Sequence, residues 1–237
     1  MFCFESIVRY SEIDADRFMT LPAILDILQD CCTFQSEEIG VGLDFLQKNH
    51  RAWVLSSWQV VICRYPKFGE TIRAYTWPYD FKAFLGYRNF KIEDAKGEVI
   101  AYANSVWVYM DTQNKRPVKV PEEVKQRYCF EAPYEMKYSN RKIHLQQDME
   151  EKEPLRVGRF QIDTNHHVNN SKYILMAEEY LPEGFQVKEL RVEYKKEAVL
   201  GDLICPKVKE TEHGIMVSLE NERKKPYAVI EFVEDEG

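Results

Sequence analysis

The chain has 237 residues, 45% of them hydrophobic and 13% aromatic, which is enough for one large domain or two smaller ones, each with a packed core. The formal net charge of −7 argues against a general nucleic-acid binder, because phosphate contacts need a basic face. Apolar runs are much shorter than the roughly 20 residues of a membrane span, and no basic start leads into an apolar stretch, so neither a span nor an export signal is expected.

The first half of the chain predicts a helix followed by antiparallel strands. In SEIDADRFMTLPAIL (Ser11 to Leu25), Thr20 suits an N-cap and Pro22 a first-turn proline, and apolar residues follow at helical spacing. Alternating apolar residues then predict strands in WQVVICRYPKFGETIRAYTW (Trp58 to Trp77), YRNFKIED and VIAYANSVWVYM.

The second half repeats this order. The segment FQIDTNHHVNNSKYI (Phe160 to Ile174) reads in step with the opening motif, and Asn169 or Asn170 can cap the helix that Pro182 stops. Strands are predicted in LRVEYKKEAVLGDLICPKV, IMVSLEN and YAVIEFVE.

The repeat predicts an α+β fold of two similar domains, each with a helix laid across an antiparallel sheet. The predicted domains span residues 1–130 and 155–237. A charged linker without clear periodicity joins them over residues 131–154.

Polar side chains at the start of the second helix allow three interpretations. They could simply cap the helix, since Asn and Asp satisfy its free amide groups. They could bind a metal through Asp163, His166 and His167, but adjacent histidines in an extended segment point to opposite faces, and no HxxxH or CxxC motif is present. They could also serve hydrolysis, with Asp163, Asn165 and His167 on one side of an extended lead-in and the helix start stabilising a negative oxygen.

The first repeat offers a comparison within the same chain. Its corresponding positions hold Asp14, Asp16 and Phe18. A helix can therefore begin in this fold without the histidine, and we expect any chemistry to belong to the second half.

At this point the sequence resembles the acyl-acyl carrier protein (ACP) thioesterases. The resemblance runs in family order from near residue 8 to about residue 205, through VRYSEIDADR, WVLSSWQVVICRYPKFGE, NSVWVYMD, VPEEV, DTNHHVNNSKYI and EYKKE. It implies two tandem hotdog domains, each a long helix wrapped by an antiparallel β-sheet. The acyl tunnel would lie mainly in the first domain and the catalytic signature in the second.

The resemblance also implies a reaction and the residues that carry it. The reaction is hydrolysis of the thioester between a fatty acyl chain and the phosphopantetheine arm of ACP, which terminates chain elongation. The positions that match the family signature are Asp163, Asn165, His167 and Glu197. No metal and no cofactor of the protein's own are expected, because the substrate carries the phosphopantetheine.

One position departs from the plant members of the family, which usually have a cysteine after the Tyr-basic-basic-Glu run. Here Glu197 is followed by Ala198, which makes a covalent acyl-cysteine route unexpected. We therefore expect water activated by Asp163 or Glu197 together with His167, while Asn165 and a backbone N–H group hold the oxyanion.

Further residues are assigned to substrate contacts. Trp53, Trp58 and Trp107 could line an acyl tunnel or could be ordinary core residues. Lys195 and Lys196, next to the expected site, could receive the acidic carrier protein or could simply form a solvated face.

The remaining expectations concern compartment, assembly and alternative functions. The six cysteines lack CxxC spacing, which favours a reduced cytoplasmic protein. A tandem hotdog chain can be a monomer or a homodimer. The alternatives to ACP thioester hydrolysis are an acyl-CoA thioesterase, a dehydratase or hydratase of the same fold, and a non-catalytic acyl-binding protein.

Overall fold

The structure is a computed structural model and describes residues 1–234. The chain divides into two compact units: the first comprises residues 1–56 and 60–138, and the second comprises residues 57–59 and the chain from Ser139 onward. Both combine helices with antiparallel strands, which confirms the predicted α+β fold class.

The first unit contains most of the regular structure of the chain. Its elements are β1 (Phe2–Ile7), α1 (Leu21–Glu38), α2 (Leu43–Lys48), β2 (Arg51–Ile62), β3 (Thr71–Lys82), β4 (Leu85–Asp94), β5 (Val99–Asp111), β6 (Arg116–Pro117) and α3 (Glu122–Lys125). The strand order is β1-β3-β4-β5-β2, and β6 pairs with β5. The β1–β3, β3–β4 and β4–β5 pairs are antiparallel.

Helix α1 begins where the sequence predicts. The hydroxyl of Thr20 accepts the amide hydrogen of Ala23 at 3.3 Å, and a proline occupies the first turn. The buried face of α1 includes Ile24, Leu28 and Cys31, and it packs on β3 and β1. Burial of this stripe stabilises the helix more than its intrinsic propensity does.

The second unit has the same kinds of element on a smaller scale. Its elements are β7 (Glu150–Glu151), β8 (Leu155–Arg156), α4 (Asn170–Glu178), β9 (Val187–Tyr194), β10 (Leu203–Thr211), β11 (Gly214–Glu220) and β12 (Pro226–Glu234). The strand order is β9-β12-β11-β10-β7, and β8 also pairs with β10. All of these pairings are antiparallel.

Helix α4 has 9 residues, against 18 in α1. Its N-cap is Asn169, whose side-chain oxygen accepts the amide hydrogen of Ser171 at 3.0 Å. Tyr173, Ile174 and Ala177 form its buried face, which packs on β11 and β12. The predicted asparagine cap is thereby confirmed and narrowed to one residue.

The chain between α3 and β7 has little regular structure, yet buried side chains bind it within each unit. In the first unit, Trp77 Nε1 donates to the carbonyl of Ala132 at 2.9 Å, and the Asn89 side-chain oxygen accepts the amide hydrogen of Tyr134 at 3.0 Å. In the second, the amide of Ile143 donates to Glu193 Oε2 at 3.0 Å. Side-chain partners of this kind leave no periodic pattern in the sequence of the segment they hold.

Candidate active site

The signature segment forms a tight turn. Asp163 Oδ1 accepts the amide hydrogens of Asn165 at 2.8 Å and His167 at 3.3 Å, and the Asp163 amide donates to the His167 carbonyl at 2.8 Å. His166 has a φ of 65°, in the left-handed region. The expectation of an extended lead-in is therefore wrong, because the aspartate folds the backbone back on itself.

The turn brings His167 next to a residue from a distant part of the chain. His167 Nε2 lies 3.3 Å from Glu197 Oε2. Glu197 follows the end of β9, and the two segments are joined by a backbone hydrogen bond from the Val168 amide to the Ala198 carbonyl, at 2.9 Å. The side chains remain 34% and 52% exposed, so an incoming substrate can reach the pair.

Asp163 and Asn165 have different surroundings from this pair. Asp163 is half-buried, and the contacts of its carboxylate described above are with backbone amides of its own turn. Asn165 is exposed, and its carboxamide makes no hydrogen bond to another residue within the described part of the chain. The carboxamide is thus available to a ligand.

The first unit contains the same turn, but with different side chains at the candidate catalytic positions. Asp14 Oδ1 accepts the amide hydrogens of Asp16 and Phe18, both at 2.9 Å, and Arg17 has a φ of 66°. The amide of Met19 donates to the carbonyl of Pro66 at 2.8 Å, as Val168 does to Ala198 in the second unit. The aspartate and the turn therefore belong to a frame that both halves share.

The residues at the positions of His167 and Glu197 differ between the two units. Phe18 takes the place of His167 in the first unit, and the Lys67 ammonium lies 5.4 Å from the centre of its ring. The repeat register places Tyr65 where the second unit has Glu197. His167 and Glu197 are thus specific to the second unit, whereas the aspartate is not.

Ala198 follows Glu197, where plant members of the family usually have a cysteine, and it is fully buried. Its carbonyl accepts from Val168, and its amide donates to Tyr173 Oη at 2.9 Å. The sequence alone assigned Tyr173 no role at the site. The available signal was a paired difference, because the first repeat has Ile24 and Pro66 in the positions of Tyr173 and Ala198.

The cysteine nearest to Ala198 in sequence is Cys205, in β10. Burial and the nearby Glu222 and Glu220 carboxylates raise the pKa of its thiol, which disfavours the nucleophilic thiolate. Cys205 therefore does not replace the missing cysteine.

The two lysines beside the site are exposed but differ in their contacts. Lys195 Nζ donates to the buried Glu193 carboxylate at 2.8 Å. Lys196 Nζ lies 5.8 Å from the centre of the Tyr227 ring. Lys195 is therefore partly compensated, while Lys196 offers its charge above an aromatic face.

The three tryptophans proposed for an acyl tunnel occupy different environments. Trp53 stacks on Phe81 at a centroid distance of 5.7 Å and lies 4.8 Å from Tyr109. Trp58 is buried, and Trp107 Nε1 donates to Ser105 Oγ at 2.7 Å. These positions are compatible with packing, and the tunnel role stays a prediction.

A cleft of about 740 Å³ in the second unit lies among acidic and basic side chains, including Asp148, Glu150, Lys152, Glu179, Lys209 and Glu210. None of the four predicted catalytic residues lines it. We therefore do not identify this cleft as the candidate active site, despite its size.

Residues 1–234 contain neither a metal-binding cluster nor a membrane-spanning helix. No group of three or more His, Cys, Asp and Glu side chains there has an arrangement that would hold a metal ion. No helix in that range has the length and apolar character to cross a membrane.

Solved structures of similar fold are available for comparison. An acyl-ACP thioesterase from Bacteroides thetaiotaomicron superposes with a TM-score of 0.90 at 20% identity, over 98% of this chain and 97% of that one. A 12:0-ACP thioesterase from Umbellularia californica gives a TM-score of 0.84 at 20% identity, over 99% and 96% of the two chains. These similarities confirm the hotdog architecture.

Curated relatives are similar in sequence but longer. A chloroplastic palmitoyl-ACP thioesterase of Cuphea hookeriana is 29% identical over 208 residues, which are 80% of this chain and 50% of that protein. A chloroplastic oleoyl-ACP thioesterase of Arabidopsis thaliana is 26% identical over 219 residues, which are 84% and 60% of the two proteins. The chain spans about half the length of the Cuphea relative.

Family models account for both halves. Residues 2–128 match the acyl-ACP thioesterase N-terminal domain, and residues 144–231 match the acyl-ACP thioesterase C-terminal domain. The two matches follow the internal repeat, with the His167–Glu197 pair inside the second. The chain belongs to the acyl-ACP thioesterase family.

Proposed function

We propose that this protein hydrolyses the thioester of fatty acyl-ACP, releasing a free fatty acid and the carrier thiol. The observation that carries the proposal is the 3.3 Å contact between His167 Nε2 and Glu197 Oε2 in a member of this family. An imidazole paired with a carboxylate can accept a proton from water, and the exposed edge of the pair leaves room for an acyl carbonyl.

In this mechanism His167 is the general base and Glu197 orients its ring. Water loses a proton to the imidazole as its oxygen attacks the thioester carbonyl. The tetrahedral intermediate then expels the thiolate, which takes the proton from the imidazolium. Glu197 stabilises that imidazolium, in the way a carboxylate supports histidine in other hydrolases.

The oxyanion needs donors close to the reacting carbonyl. The free carboxamide of Asn165 supplies one, and a backbone N–H group at the start of α4 supplies a second, aided by the positive end of the helix dipole. Because Ala198 has no nucleophilic atom, the scheme contains no acyl-enzyme at this position.

We also propose that the reaction takes place in a reducing compartment, the cytoplasm, as a step of fatty acid biosynthesis. All six cysteines are free thiols, which is consistent with such a compartment. The acidic chain would meet its carrier protein through a local basic patch, as considered below.

The direct test is release of thiol from a panel of acyl-ACP and acyl-CoA thioesters of different chain lengths. We expect turnover of acyl-ACP, and we expect His167→Ala to lower kcat by about a hundredfold or more because the general base is lost. The matched control is Phe18→Ala, which alters the same turn of the first unit and should leave kcat within about twofold of wild type.

Four outcomes would contradict the proposed function or its mechanism. Preferential hydrolysis of acyl-CoA would indicate the CoA-specific alternative. Hydration of an enoyl thioester with the thioester intact would indicate a hydratase, and ligand binding without thiol release would indicate a non-catalytic protein. Full activity of the His167→Ala variant would remove the mechanism.

A further inference from the structure

We propose that Tyr173 is a positioning residue that holds Glu197 against His167; this role rests on the function proposed above. Tyr173 lies on α4 and is 2% exposed. Its hydroxyl oxygen accepts the amide hydrogen of Ala198 at 2.9 Å. That amide belongs to the peptide bond that joins Glu197 to Ala198, so the bond acts on the backbone directly next to the catalytic carboxylate.

Ala198 is held from two sides. Its amide is bound by Tyr173, and its carbonyl accepts the amide hydrogen of Val168 at 2.9 Å. Val168 directly follows His167, as Ala198 directly follows Glu197. The two hydrogen bonds therefore fix the backbone of both members of the pair relative to α4.

The first unit shows that the tyrosine is not needed for the turn itself. There the position of Ala198 is taken by Pro66, which has no amide hydrogen, and the position of Tyr173 is taken by Ile24, which has no hydroxyl. The bond from Met19 to the Pro66 carbonyl, at 2.8 Å, is still present. Donor and acceptor are absent together in the half that also lacks the histidine and the glutamate.

This paired difference has a physical reason. A buried backbone amide without a partner is costly, so a unit that has the Ala198 amide needs an acceptor there. A proline at this position has no amide hydrogen and so needs no acceptor, as in the first unit. The second unit instead uses a tyrosine that ties the loop containing Glu197 to α4, whose start supplies one of the proposed oxyanion donors.

The environment of Tyr173 suits a fixed, neutral hydroxyl. Its ring makes an edge contact with Tyr194 at a centroid distance of 5.9 Å, and Tyr194 Oη donates to the Asn170 carbonyl at 3.1 Å. Burial raises the pKa of Tyr173, so the phenol stays protonated at the pH of the reaction. Tyr173 can thus position the loop without acting as a base.

The test is Tyr173→Phe, which removes the hydroxyl and keeps the ring. We expect kcat for acyl-ACP to fall about tenfold while KM stays within about twofold, because a misplaced Glu197 weakens the transition state more than substrate binding. The kcat–pH profile should also change, because loss of the hydroxyl alters the contact between His167 and Glu197.

The matched control is Tyr128→Phe in the first unit. Tyr128 is also buried, and its hydroxyl lies 3.1 Å from Ser36 Oγ. This variant loses a comparable buried hydroxyl but should keep the wild-type kcat and pH profile. A general effect of losing a tyrosine hydroxyl would move both variants together.

A second variant tests the hydrogen bond itself. Ala198→Pro removes the amide hydrogen, as in the first unit, so adding Tyr173→Phe to it should cost much less in kcat and melting temperature than Tyr173→Phe alone costs. A crystal structure of Tyr173→Phe should show the His167 Nε2 to Glu197 Oε2 distance longer than its 3.3 Å.

The outcomes separate the two proposals. If His167→Ala is inactive but Tyr173→Phe keeps the wild-type kcat and pH profile, the positioning role is overturned and the proposed function stands. If the wild type hydrolyses no thioester, the proposed function fails, and the crystal structure still decides the positioning role. An unchanged 3.3 Å separation in Tyr173→Phe would overturn that role.

Discussion

At the scale of single residues, the two carboxylates predicted to act with His167 have different surroundings. Asp163 accepts two backbone amides of its own turn, and Asp14 does the same in the unit that has no histidine. Glu197 instead faces the imidazole. The geometry favours Glu197 as the partner of His167 and Asp163 as a residue that maintains the turn.

Asparagine and glutamine substitutions can separate these roles. Asp163→Asn keeps an oxygen that can accept the amides, so we expect kcat to fall by less than about tenfold. Glu197→Gln removes the charge that stabilises the imidazolium and should lower kcat by about a hundredfold. Steady-state kinetics on one acyl-ACP substrate would measure both.

Asp14→Asn is the control for the structural part of this effect. It should change the melting temperature about as much as Asp163→Asn and leave kcat unaltered, because the hydrogen bonds of the two turns are alike. A hundredfold loss in Asp163→Asn with no loss in Glu197→Gln would assign the chemistry to the other carboxylate.

The sequence pattern located the candidate residues but not the shape of the turn. Alternation applies to extended backbone, and here a left-handed His166 and an aspartate that binds two amides replace the extended form. The 3.3 Å contact to Glu197 could not be read from spacing either, since the two residues lie 30 positions apart and are brought together by hydrogen bonds such as the one from the Val168 amide to the Ala198 carbonyl.

At the scale of elements, α4 ends on a residue that is poorly suited to its position. Glu178 is the last residue of the helix, and burial together with the neighbouring Glu179 raises its pKa from 4.5 to about 7. A negative charge at a helix C-terminus is also unfavourable to the helix dipole. Ionisation of this side chain therefore costs stability in the folded protein.

The cost predicts a specific pH dependence of stability. Because the folded-state pKa is raised, the contribution of protonated Glu178 is fully present below pH 4.5 and is lost as the pH rises through 7. Glu178→Gln should therefore match the wild type near pH 4 and be more stable at pH 8, by at most about 3 kcal/mol. Denaturant unfolding at several pH values measures the difference.

Glu38→Gln supplies the control, because Glu38 is the last residue of α1 and is exposed. Its effect on stability should be small, because the side chain is exposed. A wild-type stability that does not fall relative to Glu178→Gln between pH 4.5 and 7 would contradict the prediction.

Elements were predictable where a periodic pattern is long. The caps Thr20 and Asn169 and the strands β4, β5, β11 and β12 follow from local signals that tertiary contacts reinforce. The two-residue strands β7 and β8 have no room for a pattern, and they form because β10 offers them partners. The irregular chain between α3 and β7 is likewise fixed by residues distant in sequence, namely Asn89 and Glu193.

At the scale of the whole molecule, the net charge of −7 opposes the approach of an acidic carrier protein. In the proposed function, association with the carrier protein would then depend on a local basic surface. Lys195 and Lys196 lie in the loop that carries Glu197, and Lys196 in particular is not neutralised by a described carboxylate. Attraction there would bring the phosphopantetheine arm towards the site.

Replacing both lysines with alanine should reduce kcat/KM for acyl-ACP by about threefold to tenfold and should weaken its salt dependence, because screening acts on charges that no longer contribute. The rate of the chemical step at saturation should change little. Substitution of Lys115 and Arg116, an exposed basic pair at the start of β6, is the control and should have neither effect. An unchanged salt dependence in the Lys195 and Lys196 variant would place docking elsewhere.

The turn that both units share suggests how to make a variant that is folded but inactive. Phe18 demonstrates that this turn folds with an aromatic ring and no imidazole. A His167→Phe variant copies that solution into the second unit and should remain folded while it cannot activate water. Such a variant could hold acyl-ACP unhydrolysed for long enough to isolate and crystallise the bound complex.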